Sequence, residues 1–238
     1  MLEIFASSLS FFVLLFLFSI GAIGSLVLRK NDWMANGWSS LFAISGSIWG
    51  LLLSISIFIM GSGKSISLGR FSYPLLNISF NIDLLSVFFI FLISLITLFC
   101  SIYGIGYVRH YYKKYNLGVL GFFYNLFILG MYLVVTASNG LLFLIAWEVM
   151  ALASYFLVIY DSNDQENIKA GFLYLVMTHI GTVFITISFL MLYKFTGSFD
   201  FEAIKIGLPF VPLYAKNIVF ILAVLGFGMK AGIIPLHV

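Results

Sequence analysis

Apolar residues run along this chain in stretches too long for the strands or helices of a soluble core. A helix rises about 1.5 Å per residue, so about 20 mostly apolar residues cross a hydrocarbon layer of about 30 Å. By that rule spans fall at residues 4–28, 40–60, 84–107, 119–136, 141–160, 170–193 and 218–234. The pattern predicts an all-α membrane protein, a polytopic transmembrane helix bundle of about seven spans. The last span is discontinuous, because Gly226, Gly228 and Gly232 punctuate it and Pro235 removes a backbone donor just beyond it. Two polar stretches are long. One carries Gly61, Gly63, Lys64, Gly69, Arg70 and Pro74, then Ile78-Ser79-Phe80-Asn81-Ile82-Asp83, whose period of two predicts a short strand near 76–83. The other, residues 194–217, holds Pro209, Pro212, Asp200 and Glu202 and reads as the longest loop.

Composition narrows the class. Of 238 residues 62% are hydrophobic and only 9% charged, and mean hydropathy is +1.12. Soluble domains carry about a quarter charged residues, so the lipid bilayer is the first partner of this chain. The 27 Phe and 13 Tyr suit lipid-facing surfaces and interfacial belts. A net charge of +3 spread over loops leaves no footprint for nucleic acid. Cys100 is the sole cysteine. It cannot form an intrachain disulfide, and iron–sulfur or structural zinc sites need several ligands, so no cofactor or metal is assigned to this chain.

The N-terminus does not read as a signal peptide. It carries Glu3 where a basic head is expected, and its apolar run exceeds the ~7–15 residues of a signal core. Arg29 and Lys30 follow the first span and Arg109, Lys113 and Lys114 the third, whereas residues 137–140 carry no charge. The positive-inside rule therefore puts the N-terminus outside the cytoplasm. Lys194, Lys205 and Lys216 oppose this from the longest loop, where the rule has least force.

Four side chains carry candidate chemistry. Lys230 lies in the last apolar span, where a cation costs about 2.5–3.5 kcal/mol. Glu148 is the one acid inside any of the spans, about 12 Å into its helix, near the bilayer midplane. A Glu148–Lys230 pair offsets both costs, and each group's protonation then depends on where the other sits. The plain alternatives are a protonated carboxyl that fixes helix packing and a lysine reaching to the interface. His179 lies near the centre of the sixth span, with Thr182 and Thr186 at helical spacing, and titrates near neutrality. A packing histidine bonded to a threonine or carbonyl is its alternative. His237 follows the break at Pro235 and either extends the polar path or lies at the interface. Gly228 and Gly232 form a Gly-x-x-x-Gly pattern that permits close helix approach. Gly61-Ser62-Gly63-Lys64-Ser65 is no phosphate loop, since Phe58 stands where that motif needs glycine. The basic cluster at residues 109–114 reads as an interfacial anchor.

Three tracts then point to a family: NGLLFLIAWEVMALASYFLV from Asn139, YLVMTHIGT from Tyr174 and GFGMKAGIIPLHV from Gly226. They resemble the antiporter-like proton-translocating membrane subunits shared by respiratory complex I, multisubunit cation/proton antiporters and membrane-bound hydrogenases. The third tract is most like the hydrogenase-4 and formate hydrogenlyase members. The resemblance implies that Glu148 is the fifth-helix glutamate, Lys230 the seventh-helix lysine and His237 the histidine after the break, while His179 receives no family role. It implies an antiporter-like fold of about fourteen helices with two inverted repeats. Residues 1–117 would hold helices one to three and residues 118–238 the first part of a repeat, stopping before helix eight.

The implied function is that of a non-catalytic membrane subunit of an oxidoreductase complex in a prokaryotic cytoplasmic membrane. Other membrane subunits and a peripheral redox arm would be its partners. The alternatives are a subunit of a multisubunit cation/proton antiporter without redox partners, and a scaffold whose charged pair only fixes packing.

Overall fold

The computed structural model describes residues 7–60, 66–72 and 77–233, and side chains outside 8 and 61–78 within those ranges. Among the described residues, seven helices are long and apolar enough to cross a membrane. They are α1 (Ser8–Val27), α2 (Asp32–Met60), α3 (Leu84–Tyr107), α4 (Leu117–Thr136), α5 (Gly140–Val158), α6 (Gln165–Thr196) and α8 (Leu213–Ala231), with a short α7 (Phe201–Gly207) between the last two. Strands β1 (Ile66–Ser72) and β2 (Asn77–Ile82) pair as a two-stranded sheet. The expected bundle is the observed fold, and β2 occupies the stretch whose alternation predicted a strand.

Helix starts follow from local chemistry. The first amides of a helix lack intrahelical acceptors, and a preceding Ser, Asp or Asn side chain supplies one. Asp83 accepts from the Ser86 amide at 2.7 Å, Asn139 from Leu141 at 2.8 Å, Asp164 from Glu166 at 2.9 Å and Asp200 from Glu202 at 3.3 Å. The last of these starts α7 inside the stretch expected to be loop. Hydropathy alone placed the start of α2 eight residues late, because Asp32 to Ser39 is mixed in polarity but helical.

Contacts divide the chain into two compact units, residues 1–68 with 80–136, and residues 69–79 with 137–238. This grouping by contact falls after Thr136, whereas the expected boundary at 117/118 is one of repeat ancestry.

In the first unit α1 to α4 pack through small residues. A Cβ on Gly50 would strike Ser94, one on Gly21 would lie 2.6 Å from Asn125 Oδ1, and one on Gly46 would lie 2.6 Å from the Phe18 ring. Such positions let helix backbones approach where lipid supplies no hydrophobic drive for association. Phe11, Leu14, Phe18, Val87, Ile90 and Tyr132 are fully buried in this unit, and Phe80 of β2 meets Phe11 with ring centroids 5.6 Å apart. The basic turn after α3 is tied down locally: the Lys113 amide donates to Asp32 Oδ2 at 2.8 Å, and Asn36 Nδ2 donates to the Tyr112 hydroxyl at 3.0 Å.

In the second unit α6 packs closely against α8 and also contacts α5 and α7. Residues between α4 and α5 are held by an antiparallel bridge between Asn139 and Asp200. The Gly140 amide donates to Phe199 O at 2.8 Å, the Phe201 amide to Ser138 O at 3.0 Å and the Ser138 amide to Ser79 O at 3.2 Å.

Candidate functional site in the second unit

The α6–α8 contact is a reciprocal glycine crossing. A Cβ on Gly181 would lie 3.0 Å from Gly226 O, and one on Gly226 would lie 2.7 Å from Gly181 O. Neither glycine tolerates a side chain without parting the helices. The Gly228/Gly232 pattern does different work from the close helix approach expected of it. Gly232 adopts the left-handed conformation at φ 72° and ends α8. Its amide and that of Ile233, the latter at 3.0 Å, both return to Gly228 O. The helix thus closes three residues before Pro235, through glycine's freedom at positive φ. Pro235 and His237 lie outside the described residues.

Lys230 is carried in the last turn of α8. Helix termination sets it there, about 25 Å from the start of the helix on the standard rise, and the partial negative charge of a helix C-terminus favours a cation at that end. Its Nζ is buried and has no hydrogen-bond partner among the described residues. It lies over two aromatic faces, 5.6 Å from the Trp147 ring centroid and 5.5 Å from that of Tyr174. Cations within about 6 Å of a ring centroid are attracted by the ring quadrupole, by about 2 kcal/mol when desolvated.

Glu148 is the ninth residue of α5. Successive helical residues point about 100° apart, so Trp147 and Glu148 diverge. Glu148 Oε2 lies 3.4 Å from His179 Nε2 on α6, with 31% of the Glu148 side chain and 46% of the His179 side chain exposed. The other imidazole nitrogen, Nδ1, is 2.9 Å from Leu175 O. A carbonyl only accepts, so Nδ1 carries hydrogen and Nε2 is the nitrogen that gains or loses a proton; the tautomer is fixed by the partner. Two lone pairs would repel across this contact. The arrangement therefore suits a pair that holds one proton between Nε2 and Oε2.

Of the expected site residues, the structure brings Glu148 together with His179 and sets Lys230 against aromatic faces. Glu148 remains within electrostatic range of Lys230. The polar stripe expected at Thr182 and Thr186 turns inward on its own helix: Thr182 Oγ1 donates to Thr178 O at 3.0 Å and Thr186 Oγ1 to Thr182 O at 2.8 Å. Neither bonds to His179.

Sequence reading passed over Trp147, Tyr174 and Ser154. Ser154 Oγ donates its single proton to Ala151 O at 2.8 Å, so the Tyr174 hydroxyl, 2.6 Å from Ser154 Oγ, is the donor in that contact. Trp147 stacks on Phe143, with centroids 5.3 Å apart, and meets Phe227 edge-on at 5.6 Å. A usable signal existed. Ser154 and Trp147 lie seven residues apart, about two turns, on the helix that also carries Glu148.

Comparison with known proteins places this geometry. Residues 137–238, which include α5 to α8, match the transmembrane family described as NADH:quinone oxidoreductase/Mrp antiporter. Hydrogenase-4 component B of Escherichia coli is 35% identical over 225 residues, covering 94% of this chain and 32% of that protein. Formate hydrogenlyase subunit 3 of the same organism is 29% identical, covering 85% of this chain and 30% of that protein. The chain thus spans about a third of the length of these relatives. A chain in the structure of the membrane-bound sulfane sulfur reductase, an archaeal respiratory membrane complex, shares the fold with a TM-score of 0.79 at 18% identity, over 97% of this chain and 46% of that one. Over residues 137–238, this multi-pass membrane protein is similar to the NADH:quinone oxidoreductase/Mrp antiporter transmembrane family.

Proposed function

We propose that this chain is part of a proton-translocating membrane subunit of a hydrogenase or related respiratory oxidoreductase complex, with Glu148, His179 and Lys230 as its proton-transfer groups. The observation that carries the reading is the placing of three ionisable side chains on α5, α6 and α8 within apolar spans, with Glu148 against His179 at 3.4 Å. Intramembrane ionisable groups are costly and mark ion paths more often than packing. Redox work in partner subunits would make and break the attraction between Glu148 and Lys230, and a change in that field moves a proton because each group's charge depends on its neighbour. His179 Nε2 offers the carboxyl a group that can accept and return a proton. His237 would extend the path beyond the end of α8.

Similarity to a hydrogenase component and a formate hydrogenlyase subunit favours the redox-linked assembly over an antiporter without redox partners. Partner membrane subunits, a peripheral redox arm, a prokaryotic cytoplasmic membrane with the N-terminus outside, and a repeat beginning at residue 118 belong to the same reading.

The test is proton transport by membranes that hold the assembled complex. Glu148→Gln and Lys230→Ala each lower the rate by about 10²-fold or more, the usual worth of a positioned acid or base, with assembly intact on native gels. Undiminished transport in both variants overturns the reading. Purification of the complex with a redox-active partner supports the first assembly, and transport with no such partner favours the antiporter.

A further inference from the structure

Lys230 makes no salt bridge or hydrogen bond among the described residues, although a buried cation needs compensation. What surrounds its Nζ is two rings, at 5.6 and 5.5 Å, contributed by two different helices. Both rings are held from behind. Tyr174 is oriented by its hydroxyl bond to Ser154 Oγ at 2.6 Å, whose own proton is committed to Ala151 O. Trp147 is braced by Phe143 and Phe227, and Phe143 in turn meets Phe189 at 5.8 Å. Fixed faces of this kind attract an ammonium and offer little to a neutral amine, because the attraction is electrostatic.

We propose that Trp147 and Tyr174 form a cation-holding station for the Lys230 ammonium, distinct from Glu148, so that the lysine alternates between the rings and the carboxylate. The proposal rests on the reading of Lys230 as a proton-transfer group and adds the second position such a group needs. While the Glu148 carboxyl shares a proton with His179, it offers Lys230 no full negative charge and the ammonium sits on the rings. When that proton leaves, the carboxylate draws the ammonium across. Trp147 and Glu148 being adjacent on α5, the two positions lie within the sweep of one lysine side chain about its own rotatable bonds. Trp147 and Tyr174 act through Lys230 and are positioning residues.

The test is nuclear magnetic resonance of the full chain in lipid bilayers with labelled lysine, Lys230 being assigned by its loss in Lys230→Arg. Ring currents should move the Lys230 Hε resonance upfield of the other lysines, and Trp147→Leu or Tyr174→Leu should return it toward them. Tyr174→Phe, which keeps the face and removes the hydroxyl, should retain most of the displacement. Tryptophan at 147 is then replaced by fluorinated analogues of nearly the same shape, which weaken the quadrupole without opening the fold. At fixed pH the Lys230 ammonium-to-amine ratio should fall stepwise, by about tenfold over the series. A Lys230 Hε resonance among those of the loop lysines, or a ratio indifferent to fluorine, overturns the proposal. Outcomes for transport are separable. Ring displacement with undiminished transport in Lys230→Ala supports the station and sinks the transport reading. Lost transport in Lys230→Ala without ring displacement does the reverse.

Discussion

Asn125 and Glu148 are each the ninth residue of an apolar helix, α4 and α5 respectively, and their surroundings differ in kind. Asn125 is fully buried in the first unit, and its Nδ2 donates to Ser39 Oγ and to Gly121 O, both at 2.9 Å. Tyr132 in the same unit is also fully buried, with its hydroxyl 2.8 Å from Ser94 Oγ. Ser47 and Ser54 return their protons to the preceding turn of α2. Of these groups Asn125 and Tyr132 tie neighbouring helices together, while the two serines bond within their own helix. Glu148 instead meets another titratable group at 3.4 Å with part of its surface open, and Lys230 is held by faces rather than by acceptors. The helices follow the same division: 44% of the α2 window is buried within the chain, but 22% of α5 and 17% of α8. A polar group meant to hold a fold is enclosed and donates to a neutral neighbour. One meant to change charge needs a partner that can take its proton and room to move.

Breaking that contrast is straightforward where the helices touch. Gly226→Leu forces α6 and α8 apart at their closest approach, because its Cβ would already lie 2.6 Å from Ile185 Cγ1. Overpacking of this kind costs about 1–3 kcal/mol or more, so the expected outcome is a lower unfolding temperature in detergent together with loss of transport. Gly50→Leu, which drives a side chain into Ser94 and the Tyr132 hydroxyl, should lower the unfolding temperature similarly. An unchanged unfolding temperature for both would show that the glycine contacts do not set the packing.

A narrower change tests the titrating side. His179→Asn keeps a polar side chain on α6 but removes the group that exchanges a proton with Glu148. Transport should fall by about 10²-fold or more, the usual worth of one positioned acid–base group. Its pH dependence between about 5 and 8, where histidine titrates, should flatten. A profile identical in shape to that of the native protein would assign His179 to packing alone. The smallest effect is expected on the enclosed side. Asn125→Leu removes interhelical hydrogen bonds worth about 0.6–2 kcal/mol, a modest loss of stability. The shape of the pH profile should not change, and a change would mean that the two units do not divide the work as described.

Much of the fold was legible because length and apolarity are decided residue by residue. All seven spanning helices lie where the apolar runs lie, and the alternation at residues 78–82 marked β2. Helix ends were less legible. The first turns of α2 and α8 are polar enough to leave the apolar window, yet are helical: the Met34 amide donates to Asn31 Oδ1 and the Ala215 and Lys216 amides to Pro212 O. The short helix α7 was missed although Asp200 before Phe201, with Ile204 three residues on and buried, is a capped amphipathic start. Within the site, Glu148, His179 and Lys230 stood out because charge in an apolar run is conspicuous. Their mutual arrangement did not follow. Complementary charge suggested Glu148 beside Lys230, whereas helix phase turned Glu148 to α6 and Trp147 toward Lys230. Aromatic residues are common in such helices, so composition gave Trp147 and Tyr174 no distinction until a cation was seen against their faces.

Proton exchange by Glu148 inside its span is read directly by infrared difference spectroscopy of the full chain in bilayers. A pH step between about 5 and 8 covers the range in which histidine side chains in general change charge. It should produce a protonated-carboxyl band that disappears in Glu148→Gln and shifts in frequency in His179→Asn. A difference spectrum with no carboxyl band assignable to Glu148, or one that His179→Asn leaves untouched, would contradict it.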